Sequence, residues 1–398
     1  MLKEVIKNSK LWRFYRDKIQ RPYFRRKVYT DDGDVRYILK KYHDVYKLKH
    51  LIITLTYHCQ LHCEMCGQVE TPDDAPNSQN NWTQIPLDVI TNRIEELEYP
   101  LQSAYLFGGE PLIYKNIFKL SEYLIKKNIN FTYSTNGLLL KKYTKDILDN
   151  PPKMISVSMD GCTSELHDSI RGLKGAWQKA IDGINSIIEE KERRKSRYPL
   201  LKIHFTIIPD NYTTMREFYE FYINKFPNID EIKFHVPRFN DLKMGYEYFN
   251  SMRDEFDTYC LSYQGNFSED TFVKDCKNKI DVKALYNDIT WLLKQKKVSY
   301  LGPTEYDELY KFFKEPSYYP KNRRCECHKS CAIQPNGDIC MCGDYPDLKF
   351  GNIQNDKIDS AWQSQKAAKW RAYLKTNGNP GVLAKCSRLF DTIKSSNF

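Results

Sequence analysis

From residue 50 onward the chain alternates two hydrophobic periods. Short runs rich in β-branched and aromatic residues, at 51–55, 104–107, 131–134, 155–158, 202–207 and 231–235, read as strands. Longer stretches between them, at 87–97, 117–127, 141–148, 176–190 and 214–226, carry apolar residues at helical spacing. Repeated βα units imply a parallel sheet with helices packed outside it. Six units suit an α/β fold of the partial (β/α)6 TIM-like barrel kind, with its reactive loops at the C-terminal strand ends. Residues 246–320 break this rhythm: they are rich in Tyr, Phe and charge, with one convincing helix over 282–296. They read as a helical bridge or insertion over the barrel mouth. A cysteine-dense segment follows. The expected division is a basic arm at 1–47, a core at 48–245, the bridge at 246–320 and a C-terminal domain at 321–398.

At 398 residues the chain is long enough to bury a full core in two or three domains. Lys and Arg number 61 against 51 Asp and Glu, for a net charge of +10. Much of that excess lies before residue 28, in Lys3, Lys7, Lys10, Arg13, Arg16, Lys18, Arg21, Arg25, Arg26 and Lys27. Such a segment is most simply a solvated helix with a few packed aromatics (Trp12, Phe14, Tyr15). The other reading is a peripheral contact with an anionic surface. No run approaches the ~20 apolar residues of a membrane span, and the N-terminus lacks the apolar stretch of a secretory signal. Twelve cysteines in a chain of this kind point to reduced thiols and metal in a cytoplasmic protein, not to a disulfide framework.

Directly after the first strand, LTYHCQLHCEMCG places Cys59, Cys63 and Cys66 at C-x3-C-x2-C spacing. A cuboidal iron–sulfur cluster has four irons, so three cysteines leave one iron free to chelate a small molecule. Zinc is the alternative, with His58 and His62 at hand to complete a four-ligand set, although zinc spacing usually comes as paired C-x2-C or C…H sets. Other motifs also fall at strand ends. Gly108 and Gly109 let the backbone approach a ligand, Glu110 offers a carboxylate, and Pro111 stiffens the turn. Ser134, Thr135 and Asn136 supply hydroxyl and amide groups, and Arg171 in HDSIRG suits a carboxylate. Each of these is weak alone.

In order and together, the cysteine loop, the GGEP loop and the SMDG…HDSIRG…GAW stretch resemble the radical S-adenosylmethionine (SAM) enzymes over about residues 48–240. The resemblance implies that Cys59, Cys63 and Cys66 hold a [4Fe-4S] cluster whose fourth iron is chelated by S-adenosylmethionine. It implies that Gly108, Gly109 and Glu110 contact the methionyl amine, that Ser134 and Asn136 lie near the ribose, and that Ser158 and Arg171 serve the methionyl carboxylate. One electron, from a donor such as flavodoxin or ferredoxin, then cleaves the sulfonium to methionine and a 5′-deoxyadenosyl radical that abstracts hydrogen from a substrate. Met65 stands where the family often has an aromatic residue.

The C-terminal segment RRCECHKSCAIQPNGDICMCGDYPDLKFGNI carries Cys325, Cys327, Cys331, Cys340 and Cys342, with Cys386 beyond. Asn336–Gly337 is a hairpin signal. The segment resembles the SPASM and twitch extensions that hold auxiliary clusters: Cys327, Gly337 and Cys342 meet the C-x9–15-G-x4-C form. It departs from a full SPASM domain, because only Cys386 remains of the later cysteine run, with Leu389 at the place of a C-x2-C partner. That resemblance implies one auxiliary [4Fe-4S] cluster on Cys327, Cys342 and Cys386. The fourth ligand is Cys331, Cys325 or Cys340. Cys162, Cys260 and Cys276 are isolated and read as packing.

Auxiliary-cluster enzymes of this kind oxidise substrates, as sulfatase-maturating and aminoglycoside dehydrogenase enzymes do, or mature ribosomally made peptides. The first 47 residues are too short and too basic for the winged-helix peptide-binding domain of many peptide maturases. The expected activity is therefore an oxidoreductase, dehydrogenase-type, or an epimerase on a saccharide or small molecule. The alternatives are a peptide or protein maturase, an RNA-modifying enzyme, for which no nucleic-acid module is recognisable, and a non-catalytic metal-binding scaffold.

Overall fold

The structure, a computed structural model, describes residues 26–29, 35–38, 47–69, 78–238, 242–260, 271–315, 317–318, 330–381, 383 and 386. Strands β1 (Arg26–Tyr29) and β2 (Val35–Ile38) pair antiparallel as a separate hairpin. The rest of the basic arm, 1–25, 30–34 and 39–46, lies outside the described residues, as do Cys325 and Cys327.

The βα alternation then runs β3 (His50–Thr54), α1 (Leu87–Glu95), β4 (Ser103–Phe107), α2 (Ile117–Lys126), β5 (Asn130–Thr135), α3 (Leu140–Asp149) and β6 (Met154–Ser158). It continues with α4 (Ser164–Arg171), α5 (Ala176–Arg194), β7 (Leu200–Thr206), α6 (Met215–Lys225) and β8 (Glu231–His235). Each strand from β3 to β8 pairs in parallel with the next. Helix α4 is the one element of this run that periodicity missed. It is short and set by its ends: the Thr163 hydroxyl accepts from Leu166 N, and Gly172, at φ +68°, closes it in the left-handed conformation.

The bridge segment behaves differently from expectation. It forms α7 (Leu242–Phe256), α8 (Thr271–Asn278) and α9 (Val282–Leu292), but it also delivers β9 (Val298–Leu301), which pairs in parallel with β8. The sheet is thus extended by a strand from a region read as an insertion. After α10 (Tyr306–Lys314), β10 (Ser330–Ile333) adds to the opposite edge, parallel to β3, and β11 (Asp338–Cys340) and β12 (Lys349–Asn352) follow antiparallel. The ten strands lie in the order β12-β11-β10-β3-β4-β5-β6-β7-β8-β9, an open sheet with β12 and β9 at its two edges. Helices α11 (Ile358–Trp362) and α12 (Gln365–Asn377) complete the described chain.

The two faces of the sheet differ sharply. Phe131 and Tyr133 on β5, Ile155 and Val157 on β6, Leu201, Ile203 and Phe205 on β7, and Ile232 and Phe234 on β8 are buried against the helices in one apolar core. Each such side chain contributes on the order of 1.5–3 kcal/mol. The alternate positions point inward and, Met154 apart, are polar: Thr132, Ser134, Ser156, Ser158, Lys202, His204, Lys233 and His235 line a cavity. Barrels of this type usually fill their axis with branched apolar residues. This one keeps a polar shaft.

Candidate active site

The cavity measures about 650 Å³ and runs from the strand N-terminal ends, at His50 and Ser103, to the cysteine loop at their C-terminal ends. That is within the usual range for a small-molecule site. Cys59, Cys63 and Cys66 all line it, together with Gly108, Gly109, Ser134, Asn136, Ser158 and Arg171. The motifs singled out at four strand ends therefore meet around one space. Glu110, with 1% of its surface exposed, does not line it.

The cysteine loop is held by its backbone from three sides, which leaves the thiols to face the cavity. On one side Gly109 N donates to Thr56 O at 2.8 Å and Glu110 N to His58 O at 3.0 Å. A Cβ on Gly108 would lie 2.2 Å from Thr56 O, and one on Gly109 would lie 2.3 Å from Tyr57 O and His58 O. The glycine pair thus lets two loops touch while both glycines still line the cavity. On the second side, the end of α4 receives His62 N at Arg171 O (3.3 Å) and Glu64 N at Ile170 O (3.0 Å). On the third, Gln79 donates from Nε2 to both Cys59 O (2.9 Å) and Leu61 O (2.8 Å). Buried Gln79 was missed from sequence, since nothing local marks a lone Gln as a clamp.

Glu110 is a clamp as well. Its Oε1 accepts from Leu112 N (3.1 Å) and the Thr135 hydroxyl (2.8 Å), and its Oε2 from Asn136 N (2.8 Å). Burial pushes its carboxyl up to about 7, against these three donors. Asn136 in turn reaches from Nδ2 to Gln60 Oε1 at 3.2 Å and to Cys59 Sγ at 3.7 Å. Ser134 is hydrogen-bonded to the Tyr105 hydroxyl at 3.0 Å. Arg171 donates from Nη1 to Cys63 Sγ at 3.6 Å and pairs through Nη2 with buried Asp160, whose other oxygen accepts from Thr206 N at 2.7 Å. Burial opposes the Arg171 charge, but Asp160 and Cys63 outweigh it and hold the guanidinium protonated. Burial also pushes the Cys59 thiol up to about 12 and the Cys63 thiol up to about 11, with Arg171 pulling the latter back down.

The donor set fits an iron–sulfur cluster better than a single ion. His58 is stacked on Trp82 with ring centroids 3.2 Å apart. The three thiols instead share a cavity wall beside a glycine cradle and a buried guanidinium.

The C-terminal cysteines separate into groups. Cys331 faces outward on β10, in register with Leu51, where Arg371 and Asp359 act on it. Cys340 faces the other way, packed with Ile52 and Ala332. Cys342 and Cys386 both act on the Tyr345 phenol, and Cys386 lines the cavity. Cys331 and Cys342 both act on the Cys340 thiol, and Cys331, Cys342 and Cys386 belong to one buried apolar cluster. The C-terminal hairpin itself turns at Asn336–Gly337, with Gly337 at φ +88°. It is joined to the cysteine loop through Gln334, which accepts from the Tyr57 hydroxyl and donates from Nε2 to Cys340 Sγ at 3.0 Å.

Inward-facing Lys202, His204, Lys233 and His235 were also missed as site residues. The signal was present in the alternation of LLKIHFT and EIKFH, whose polar members share one face. Among the described residues no helix is long and apolar enough to cross a membrane.

Comparison with known proteins agrees with this geometry. Residues 53–222 match the radical SAM superfamily, and residues 325–388 match the SPASM iron–sulfur cluster-binding domain. The AdoMet-dependent heme synthase of Methanosarcina barkeri is 27% identical over 170 residues, 42% of this chain and 44% of that protein. The subtilosin biosynthesis protein AlbA of Bacillus subtilis is 25% identical over 137 residues, 34% of this chain and 29% of that one. The chain thus spans less than half of the length of these curated relatives. In fold it resembles Streptococcus suis SuiB bound to its precursor peptide SuiA, at TM-score 0.56 and 16% identity over 85% of this chain and 71% of that one. With the two domains go a [4Fe-4S] cluster, S-adenosylmethionine and auxiliary iron–sulfur binding. The chain thus carries a radical SAM domain over residues 53–222 and a C-terminal SPASM domain over residues 325–388.

Proposed function

We propose that the chain is a radical SAM oxidoreductase, dehydrogenase-type or epimerising, acting on a saccharide or similar small polar molecule. The observation that carries this reading is one cavity with three cysteines at its rim and a shaft of hydroxyl, imidazole and amine groups beneath them. When bound, the cluster and S-adenosylmethionine supply a carbon radical able to take hydrogen from an unactivated C–H bond. In this reading Cys59, Cys63 and Cys66 hold the cluster. Ser158 and the Arg171 guanidinium, steadied by Asp160, meet the cofactor carboxylate, and Asn136 and Ser134 border the ribose. Glu110 keeps the two loops in register; the backbone of Gly108 and Gly109 forms the wall beside the amine. The enclosing strands exclude bulk water from the reacting centre. Residues 48–245 with β9 make the catalytic barrel. Residues 321–398 take the auxiliary cluster, with Cys327, Cys342 and Cys386 as ligands and Cys331, Cys325 or Cys340 as the fourth. A one-electron donor such as flavodoxin or ferredoxin supplies the reducing equivalent.

Anaerobic reconstitution followed by dithionite tests this directly. Wild type is expected to form 5′-deoxyadenosine, and Cys63→Ala to form none while remaining folded by circular dichroism. Turnover retained in that variant removes the three-cysteine site from the reaction. Deuterium transfer into deoxyadenosine from labelled sugars, but not from labelled peptides, identifies the substrate class. A second reading, peptide maturation, is supported by the match to a bacteriocin biosynthesis protein and predicts the opposite labelling result.

A further inference from the structure

The wall of the shaft is chemically divided. Strands β4 to β6 present hydroxyls inward, Ser103, Thr132, Ser134, Ser156 and Ser158 among them, whereas neighbouring β7 and β8 present Lys202, His204, Lys233 and His235. Register places His204 beside Lys233 and Thr206 beside His235, so these four side chains form one continuous patch across two paired strands. The His204 and His235 rings lie 4.3 Å apart, centroid to centroid.

Charge on the cavity wall leans positive. Lys202, Lys233, Arg171 and Arg238 line it with one carboxylate, Asp344, although Lys202 is paired with Glu231 at 2.7 Å and Arg171 with Asp160. Asp344 is itself gripped by Arg238 through two contacts of 3.0 Å. Neither histidine adds charge, and of the two only His204 keeps a ring nitrogen unmatched. Burial, with Lys233 next, lowers His235 to about 3, and burial with the neighbouring His235 and lysines lowers His204 well below its ordinary range. His235 is satisfied: Nδ1 meets Val236 O at 3.1 Å and Nε2 meets the Thr206 hydroxyl at 2.8 Å. His204 is not, since its Nε2 is buried with no hydrogen-bond partner among the described residues. A buried polar atom left unmatched in the protein is where a bound group has most to gain.

We infer that the β7–β8 patch binds an anionic group, phosphate or carboxylate, of a small polyhydroxylated substrate whose hydroxyls face the serine and threonine side of the shaft. Removing an anion from water is costly, and preplaced cations with neutral donors beside them offset that cost. The patch lies along the strands, beneath the cysteine loop, so an anion held there directs the rest of a sugar-sized molecule toward the rim. This inference rests on the proposed action on a saccharide or small molecule and narrows it to charged members of that class.

Calorimetric titration of the reconstituted full chain with glucose 6-phosphate, glucuronate and glucose tests it. At least one of the two anions is expected to bind about tenfold or more tighter than glucose, and which one does so identifies the anion. Lys233→Gln is expected to remove most of that advantage and Lys233→Arg to restore it, with melting temperature checking that both variants fold. Three outcomes overturn the inference: glucose binding as tightly as both anions, no binding of any of the three, or an anion advantage intact in Lys233→Gln. Deoxyadenosine formation in the same wild-type preparation is read separately. Cleavage of S-adenosylmethionine without anion preference defeats only this inference, whereas anion preference without cleavage defeats the enzyme reading.

Discussion

Glu110 ties its loop to the end of β5: its carboxylate accepts from Leu112 N, the Thr135 hydroxyl and Asn136 N. Its folded carboxyl titrates at about 7, against 4.5 for an ordinary Glu, because burial disfavours the charge. The folded form therefore keeps its proton where the unfolded chain has lost it. That contribution to stability is complete below pH 4.5 and is lost as pH rises through about 7. Melting of the metal-free chain is expected to show a decline in stability between pH 5 and pH 7.5 of up to about 3 kcal/mol that Glu110→Gln lacks. Equal pH slopes for the two proteins rule this out. The cysteines themselves were plain in the sequence because their spacing is local. Gln79 and Gln334 were not, because each acts across space on a loop far away along the chain.

Among the elements, loops are where packing and backbone conformation separate cleanly. Gly109 has no room for a side chain, with two carbonyl oxygens 2.3 Å from any added Cβ, whereas Gly175 has nothing within 4 Å but sits at φ +84°. Gly109→Ala should force the cysteine loop away and cost on the order of 2–3 kcal/mol, with a parallel fall in iron bound on reconstitution. Gly175→Ala should cost about 1 kcal/mol through its backbone alone and leave iron binding untouched. Denaturant midpoints and iron analysis decide both; similar iron loss in the two variants contradicts the steric account. Strand positions were legible to within two residues, since the runs are short, apolar on alternate sides and separated by amphipathic helices. Strand β9 was not, being only four residues, VSYL, set in a charged segment and recruited by β8 from more than 60 residues away.

At the scale of the whole molecule the decisive fact is that β10 pairs with β3. Two regions matched by different families share one sheet, and further links tie them: Tyr57 to Gln334, Arg238 to Asp344, and Arg93 Nε to Ile353 O at 2.6 Å. No local pattern announces such a junction between His50 and Ser330, about 280 residues apart along the chain. Shared strands imply shared cooperativity. Tryptophan fluorescence and far-ultraviolet circular dichroism are expected to report a single denaturant transition. Gln334→Leu, which strands the Tyr57 hydroxyl, should lower that common midpoint by the equivalent of about 1–3 kcal/mol. An early, separate transition of the C-terminal region shows instead that the junction is weak.

The alternation of apolar outside and polar inside along β5 to β8 also divides labour between residues that build and residues that choose. Exchanging an inward side chain leaves the helix-facing seam intact, so such a scaffold can acquire a new diet by rewriting its lumen while its architecture stands still.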